Sequence, residues 1–99
     1  MTDLEFEWDD RKRDSNFKKH GVDFADAVRV VERLDDREDY GEDRYIALGE
    51  LDGQVILCVA FVARGKYAQV IRLISARKAT TYESKIYDQE IQRQGPTGR

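Results

Sequence analysis

The chain has 99 residues, 40% of them hydrophobic and 37% charged, with a formal net charge of −3. This length suits a single domain, for which we predict residues 1–93 with a flexible tail at 94–99, and its ten aromatic residues argue against disorder. No apolar run approaches the ~20 residues that span a bilayer, and the acidic N-terminus lacks the apolar segment of a signal peptide. We therefore expect a cytoplasmic protein, and its lone cysteine, Cys58, indicates neither a disulfide nor a metal cluster.

The predicted order of elements is β-α-α-β-β-β-α, which is an α+β domain. The strands are expected at 4–8, 44–51, 54–63 and 67–75, and the helices at about 9–20, 24–33 and 80–93. Asp9 or Asp10 can cap the first helix and Asp23 the second, while Gly21 provides the left-handed stop between them. Thr80 and Glu83 have the spacing of a capping box at the last helix. The acidic stretch 35–43 is expected to be a loop.

A two-residue hairpin at Asp52-Gly53 would set the register of the sheet. It pairs Leu48 with Leu57 and Ile46 with Val59. The bulky face, which should pack against the first two helices, then carries Ile46, Leu48, Leu57, Val59, Phe61, Ile71 and Leu73. The opposite face carries Ala47, Gly49, Cys58 and Ala60 around Arg72. Because the burial of an unpaired guanidinium has a large desolvation penalty, we expect Arg72 to point away from the core.

The charges are unevenly distributed along the chain. Residues 32–52 contain nine acids against three arginines, whereas 53–82 contain five bases and no acid. A second basic run lies at 11–19, opposed only by Asp14. Such asymmetry within one domain is typical of a protein with a polyanionic partner, although a strand-rich core segment with few acids would have the same composition.

Two blocks of sequence resemble the signatures of BrnT-type toxins. The first, from Phe6, is F-E-W-D-D-R-K-R-D-S-N-F-K-K-H-G-V-D-F, and the second, from Arg72, is R-L-I-S-A-R-K-A-T-T-Y-E-S-K-I-Y. The resemblance extends from Phe6 to Tyr87. The chain departs from the family at 34–36, where an Asp-Pro step is common and this sequence has Leu-Asp-Asp.

The resemblance implies a RelE-like fold, with a small antiparallel sheet, two N-terminal helices on one face and a C-terminal helix. It also implies a ribonuclease that arrests translation, without cofactor or metal. The implied partners are the RNA substrate and a cognate antitoxin with a ribbon-helix-helix DNA-binding domain. The antitoxin would hold the toxin in a hetero-oligomer.

Metal-free RNA cleavage needs a base for the 2′-OH, cations for the phosphorane and an acid for the leaving oxygen. Arginine suits the second role because its fork binds phosphate oxygens, and the candidates are Arg64, Arg72 and Arg77. His20 is the only histidine, and imidazole transfers protons near neutral pH. Glu83 is a further acid–base candidate. Candidates for RNA binding are Lys12, Lys19, Lys78 and Tyr87.

Each candidate also has a purely structural interpretation. The arginines can be solvated or paired with Glu83, and His20 can complement the dipole of its helix. A non-catalytic RNA- or protein-binding module of the same fold therefore remains open. A metal-dependent nuclease is less favoured, because one histidine and no paired-acid motif leave no evident ligand set.

Overall fold

The computed structural model describes residues 4–33, 44–53 and 55–94. The elements are β1 (Glu5–Glu7), α1 (Asp10–His20), α2 (Phe24–Val31), β2 (Arg44–Leu51), β3 (Val55–Arg64), β4 (Val70–Lys78) and α3 (Thr81–Gln94). The predicted α+β class and element order are confirmed. The loop predicted at 35–43 and the end of the predicted tail, 95–99, lie outside the described residues. No helix in the described ranges is long and apolar enough to cross a membrane.

Short polar side chains and one glycine set the boundaries of the first two helices. The Asp9 carboxylate accepts a hydrogen bond from the Arg11 backbone N–H at 2.8 Å and caps α1. Asp23 accepts one from the Ala25 N–H at 3.2 Å and caps α2. Gly21, at φ 72°, ends α1 in the left-handed conformation that glycine adopts without steric cost. The predicted caps are therefore confirmed.

The sheet is mixed, with strand order β1-β4-β3-β2. β2, β3 and β4 form an antiparallel meander, but β1 pairs in parallel with β4. The expectation of a purely antiparallel sheet is thus wrong at one edge. Two helices and a hairpin separate β1 from β4 in the chain, and such a long connection allows the two strands to run in the same direction.

The register of the first hairpin differs from the prediction by one residue. Leu51 pairs with Val55, so three residues, not two, connect β2 to β3, although Asp52 and Gly53 have the predicted positive φ. Leu48 consequently pairs with Cys58 rather than Leu57. Because side chains alternate along a strand, this slip moves every β2 side chain to the opposite face.

The corrected register places small β2 residues against α2. Ala47 is buried and Ile46 is 52% exposed, the reverse of the predicted arrangement. A Cβ atom at Gly49 would lie 2.7 Å from Cγ1 of Val30, closer than two carbon atoms approach. The helix therefore lies so near β2 that the bulky Ile46 and Leu48 would not fit beneath it.

The core lies between this face of the sheet and α2. The predicted burial of Leu57, Val59 and Phe61 is confirmed, with at most 1% of each exposed. Ile71 and Leu73 are buried beside them, as expected. The buried side chains of α2 that complete the core are Phe24, Ala27, Val30 and Val31. Aromatic contacts extend it, since Tyr45 stacks on Phe61 at 5.4 Å and Trp8 meets Phe24 edge-on at 6.0 Å.

We expect Val59→Ala to lower the free energy of unfolding by about 2 kcal/mol. Val59 is fully buried, so the change removes two packed methyl groups and leaves a cavity. Val62→Ala is the matched control, because Val62 lies on the opposite face and is only half-buried. Urea denaturation of both variants measures the difference, and equal losses would contradict the assigned core face.

Candidate functional site

The face of the sheet opposite the core carries the arginines that the sequence singled out. Arg72 pairs with Val62, and Arg77 pairs with Cys58, so all four side chains point to this face. The prediction that Arg72 points away from the core is confirmed. Ala60 and Ser75 pair between them, and these small side chains form a shallow floor. We call this surface the arginine face.

The first group on this face joins three strands at one carboxylate. Glu7 of β1 lies beside Arg72 of β4, whose Nη1 donates to Glu7 Oε2 at 3.2 Å. Nη2 of Arg64, at the end of β3, donates to the same oxygen. The hydrogen bond from Arg72, followed by that from Arg64, lowers the pKa of Glu7. The Glu7 and Arg72 side chains are 36% and 41% exposed, so the group is open to a ligand.

The second group on this face is a bidentate ion pair between Arg77 and Glu83. Nη1 and Nη2 of Arg77 donate to the two carboxylate oxygens of Glu83 at 2.7 and 2.9 Å. Glu83 also accepts from the Thr80 N–H at 2.9 Å, while its own N–H donates to the Thr80 hydroxyl at 3.1 Å. The predicted capping box is therefore present. Cys58 lies beneath the pair, with Sγ 3.8 Å from Glu83 Oε2, and burial raises the pKa of its thiol.

The pKa of Glu83 should appear in the pH dependence of stability. The Arg77 guanidinium, and then the Thr80 N–H, lower this pKa from 4.5 to about 2. A carboxyl whose pKa is depressed by folding stabilises the fold above its unfolded pKa, and this contribution is lost as pH falls through its folded pKa. We expect Glu83→Gln to lower the melting temperature at pH 7 and to melt almost like the wild type near pH 2. A constant difference across this window would contradict the assignment.

Tyr87 lies one helical turn beyond Glu83, over the end of β2. Its hydroxyl donates to Glu50 Oε1 at 3.3 Å. Burial, and then the Glu50 carboxylate, raise the pKa of Tyr87. Arg33 donates to the backbone carbonyl of Glu50. Glu50 thus brings one acid of the acidic segment to the same end of the sheet as Arg77.

The remaining predicted site residues lie outside these two groups. His20 is the last residue of α1, and Lys12 and Lys19 are exposed on the same helix. Lys78 is exposed at the end of β4. Across residues 4–33, 44–53 and 55–94, no three His, Cys, Asp or Glu side chains are grouped as a metal site.

The arginines share a face but do not converge on a single point. Arg72 and Arg77 are five residues apart on β4, which is roughly 16 Å at the rise of a strand. A bulge lies between them, since Ala60 pairs with Ser75 and Phe61 with Leu73. The face therefore has two cationic points, each bonded to a carboxylate.

Sequence reasoning missed Glu7 and Glu50 as members of the site. The alternation in 4–8 placed Glu7 away from the core, but nothing local indicated which strand would lie beside it. Glu50 belongs to the acidic stretch 32–52, and nothing in the sequence indicated that its carboxylate would lie beside Tyr87. In both cases the missing information was the pairing of distant strands.

The comparisons with known proteins agree with this fold. Residues 8–83 match the family model described as the ribonuclease toxin BrnT of type II toxin–antitoxin systems. The chain is 32% identical to the Brucella abortus ribonuclease toxin BrnT, known from a 1.1 Å crystal structure, with a TM-score of 0.62. The alignment covers 82% of this chain and 100% of that one. No curated protein sequence matches the chain. The match to the family model and the agreement in structure together show that the chain belongs to the BrnT family of ribonuclease toxins of type II toxin–antitoxin systems.

Proposed function

We propose that this chain is a metal-independent endoribonuclease that cleaves RNA by attack of the 2′-OH on the adjacent phosphate and so arrests translation in the cytoplasm. The observation that supports it best is the placement of Arg64, Arg72 and Arg77 on one open face of the sheet. Arginine side chains that are held in place by neighbouring carboxylates are suited to stabilise the negative charge of a phosphorane.

The proposed chemistry divides the work between cations and proton carriers. Arg72 and Arg77, with Arg64, would bind phosphate oxygens through the N–H donors that their carboxylate partners leave free. His20 and Tyr87 are the candidates for moving protons. Glu83, with its pKa lowered to about 2, stays ionised at neutral pH and would hold Arg77 rather than donate a proton. Lys12, Lys19 and Lys78 would add longer-range attraction for RNA.

Cleavage in excess chelator tests the proposal. An RNA oligonucleotide should be cut equally well with and without EDTA, and the products should carry 2′,3′-cyclic or 3′-phosphate ends. The same sequence with 2′-deoxyribose should bind but not be cut, because the nucleophile is missing. Loss of cleavage in EDTA would indicate a metal-dependent nuclease.

The alternative is a non-catalytic module that binds RNA or protein. One observation favours it, because Arg64, Arg72 and Arg77 all have carboxylate partners and are to that extent already neutralised. A purified chain that binds the oligonucleotide without cutting it would establish this alternative.

We further propose a cognate antitoxin with a ribbon-helix-helix DNA-binding domain that covers the arginine face in a hetero-oligomeric complex. In support, two large apolar side chains lie open near this face, Ile46 at 52% and Tyr82 at 74% exposure. A protein partner bound to this face would bury both side chains and remove their apolar surface from water.

The arrest of growth by the free toxin is the corresponding prediction. Expressed alone, the chain should stop growth, and co-expression of the antitoxin should restore it. Acidic antitoxin residues should lie near Arg64, Arg72 or Arg77 in the complex. High-level expression of the folded chain without any effect on growth would count against toxicity and favour the binding module.

A further inference from the structure

We propose that Glu7 is a positioning residue that clamps Arg64 and Arg72 together as one phosphate-binding pair, favouring turnover at the expense of affinity for RNA. The proposal rests on the proposed function, since it assigns a role within the same RNA-binding face. It concerns a residue that no sequence motif marked as functional.

The geometry of Glu7 suits a clamp better than an ordinary surface ion pair. A single oxygen, Oε2, accepts from the guanidinium groups of Arg64 and Arg72, which belong to different strands. Glu7 itself comes from a third strand, in register with Arg72. The backbones of β1, β3 and β4 thus fix the three groups relative to one another, and only the side-chain torsions remain to be set.

Electrostatics explains why the two arginines need this carboxylate. Two guanidinium groups near one point repel each other, and at 54% and 41% exposure each is free to turn toward solvent. The Glu7 carboxylate reduces the local charge from +2 to +1 and gives both side chains a common acceptor. One phosphodiester, with a charge of −1, would then neutralise the group.

The donor count leaves room for that phosphate. Each guanidinium has five N–H donors, and the bonds to Glu7 use only Nη2 of Arg64 and Nη1 of Arg72. An RNA phosphate can therefore bind with Glu7 in place. Binding of the phosphate requires little rearrangement, because Arg64 and Arg72 are already held next to each other.

The clamp makes a kinetic prediction that a merely stabilising contact does not. In Glu7→Gln the local charge rises, so KM for an RNA oligonucleotide should stay the same or fall. The arginines are no longer held together, so kcat should fall on the order of 10-fold to 100-fold, as expected for lost orientation. The 2′-deoxy oligonucleotide should bind the variant at least as tightly as it binds the wild type.

Glu5→Gln is the matched control. Glu5 lies on the same strand, is exposed, and forms no ion pair among the described residues. Glu5→Gln removes one negative charge from the same strand but breaks no ion pair of the described residues, so kcat should not change. Melting curves of both variants identify any loss caused by unfolding. A Glu7→Gln variant with wild-type kcat, or one that loses activity only in proportion to its unfolded fraction, overturns the proposal.

Arginine side-chain NMR separates this proposal from the proposed function. In the wild type and in Glu5→Gln, the Nη–H signals of Arg64 and Arg72 should be dispersed and slow to exchange, because these groups donate to Glu7. In Glu7→Gln they should move toward the values of free arginine. If the wild type cuts no RNA, the proposed function fails. The arginine spectra and the binding of the 2′-deoxy oligonucleotide still decide whether the clamp exists. Unchanged Arg64 and Arg72 signals in Glu7→Gln would refute it.

Discussion

Arg72→Ala and Arg77→Ala should each lower RNA cleavage by roughly 10²-fold or more while leaving the fold intact. A preorganised cation aimed at developing charge is worth about this much in other enzymes. Arg72 is 41% exposed, and a surface ion pair of this kind contributes little to stability. Arg77→Ala also breaks the bidentate pair with Glu83, so it should lower the melting temperature as Glu83→Gln does. Cleavage rates and thermal melting of the same samples separate the two effects.

Arg29→Ala provides a matched control for this experiment. Arg29 of α2 is an exposed arginine that pairs with Asp52 at 2.6 Å and lies outside both groups of the arginine face. Arg29→Ala removes one positive charge and the ion pairs to Asp52 and Asp26, and cleavage should stay near the wild-type rate. Full cleavage by both Arg72→Ala and Arg77→Ala would refute the site.

His20→Ala distinguishes proton transfer from helix stabilisation, because only a loss of proton transfer lowers cleavage without lowering the melting temperature.

The parts of the fold that could be predicted depend on short-range chemistry. Asp9, Gly21 and Asp23 act on backbone groups within four residues, and the capping box of Thr80 and Glu83 spans three. These signals are complete within a short stretch of sequence. The order of elements followed from them and from the periodicity of apolar residues.

The register of the strands was harder to predict than the order of elements. Whether the error was an odd or an even number of residues decided whether side chains changed face. An error of one residue at the first hairpin turned all of β2 over, so Ile46 and Ala47 exchanged faces. At the second turn, Arg64 pairs with Val70, which differs from a three-residue turn by an even number of positions. Arg72 therefore lies on its predicted face although the turn is two residues longer than expected.

The candidate site was predictable in its residue types but not in its partners. The acid-free stretch indicated Arg64, Arg72 and Arg77, and the structure places all three on one face. Glu7 lies more than 55 residues from Arg64 in the chain, and only the parallel pairing of β1 with β4 brings them together. Long-range pairing of this kind leaves no mark in a single sequence.

Asn16 extends the sheet with a side chain, and its loss should be severely destabilising. It lies on α1 and is 7% exposed. It faces the part of β4 beyond Arg72, where β1 no longer pairs with this strand. Its Oδ1 accepts from the Ala76 N–H at 3.1 Å, and its Nδ2 donates to the Ala76 carbonyl at 2.8 Å. Nδ2 also donates to the Val22 carbonyl at 3.0 Å, in the connection between α1 and α2. The amide thus acts as one further peptide group of an edge strand and ties both helices to it.

Asn16→Ala should therefore lower the free energy of unfolding by about 3–5 kcal/mol, because three buried backbone groups lose their partner at roughly 1–3 kcal/mol each. Asn16→Asp is nearly isosteric and creates no cavity, yet it replaces two donated hydrogen bonds by a carboxylate oxygen facing two carbonyls. It should be at least as destabilising at neutral pH. Ser15→Ala, at the exposed neighbouring position, is the control and should change stability little. Urea denaturation measures all three, and an Asn16→Asp variant as stable as the wild type would show that the two donated bonds contribute nothing to stability.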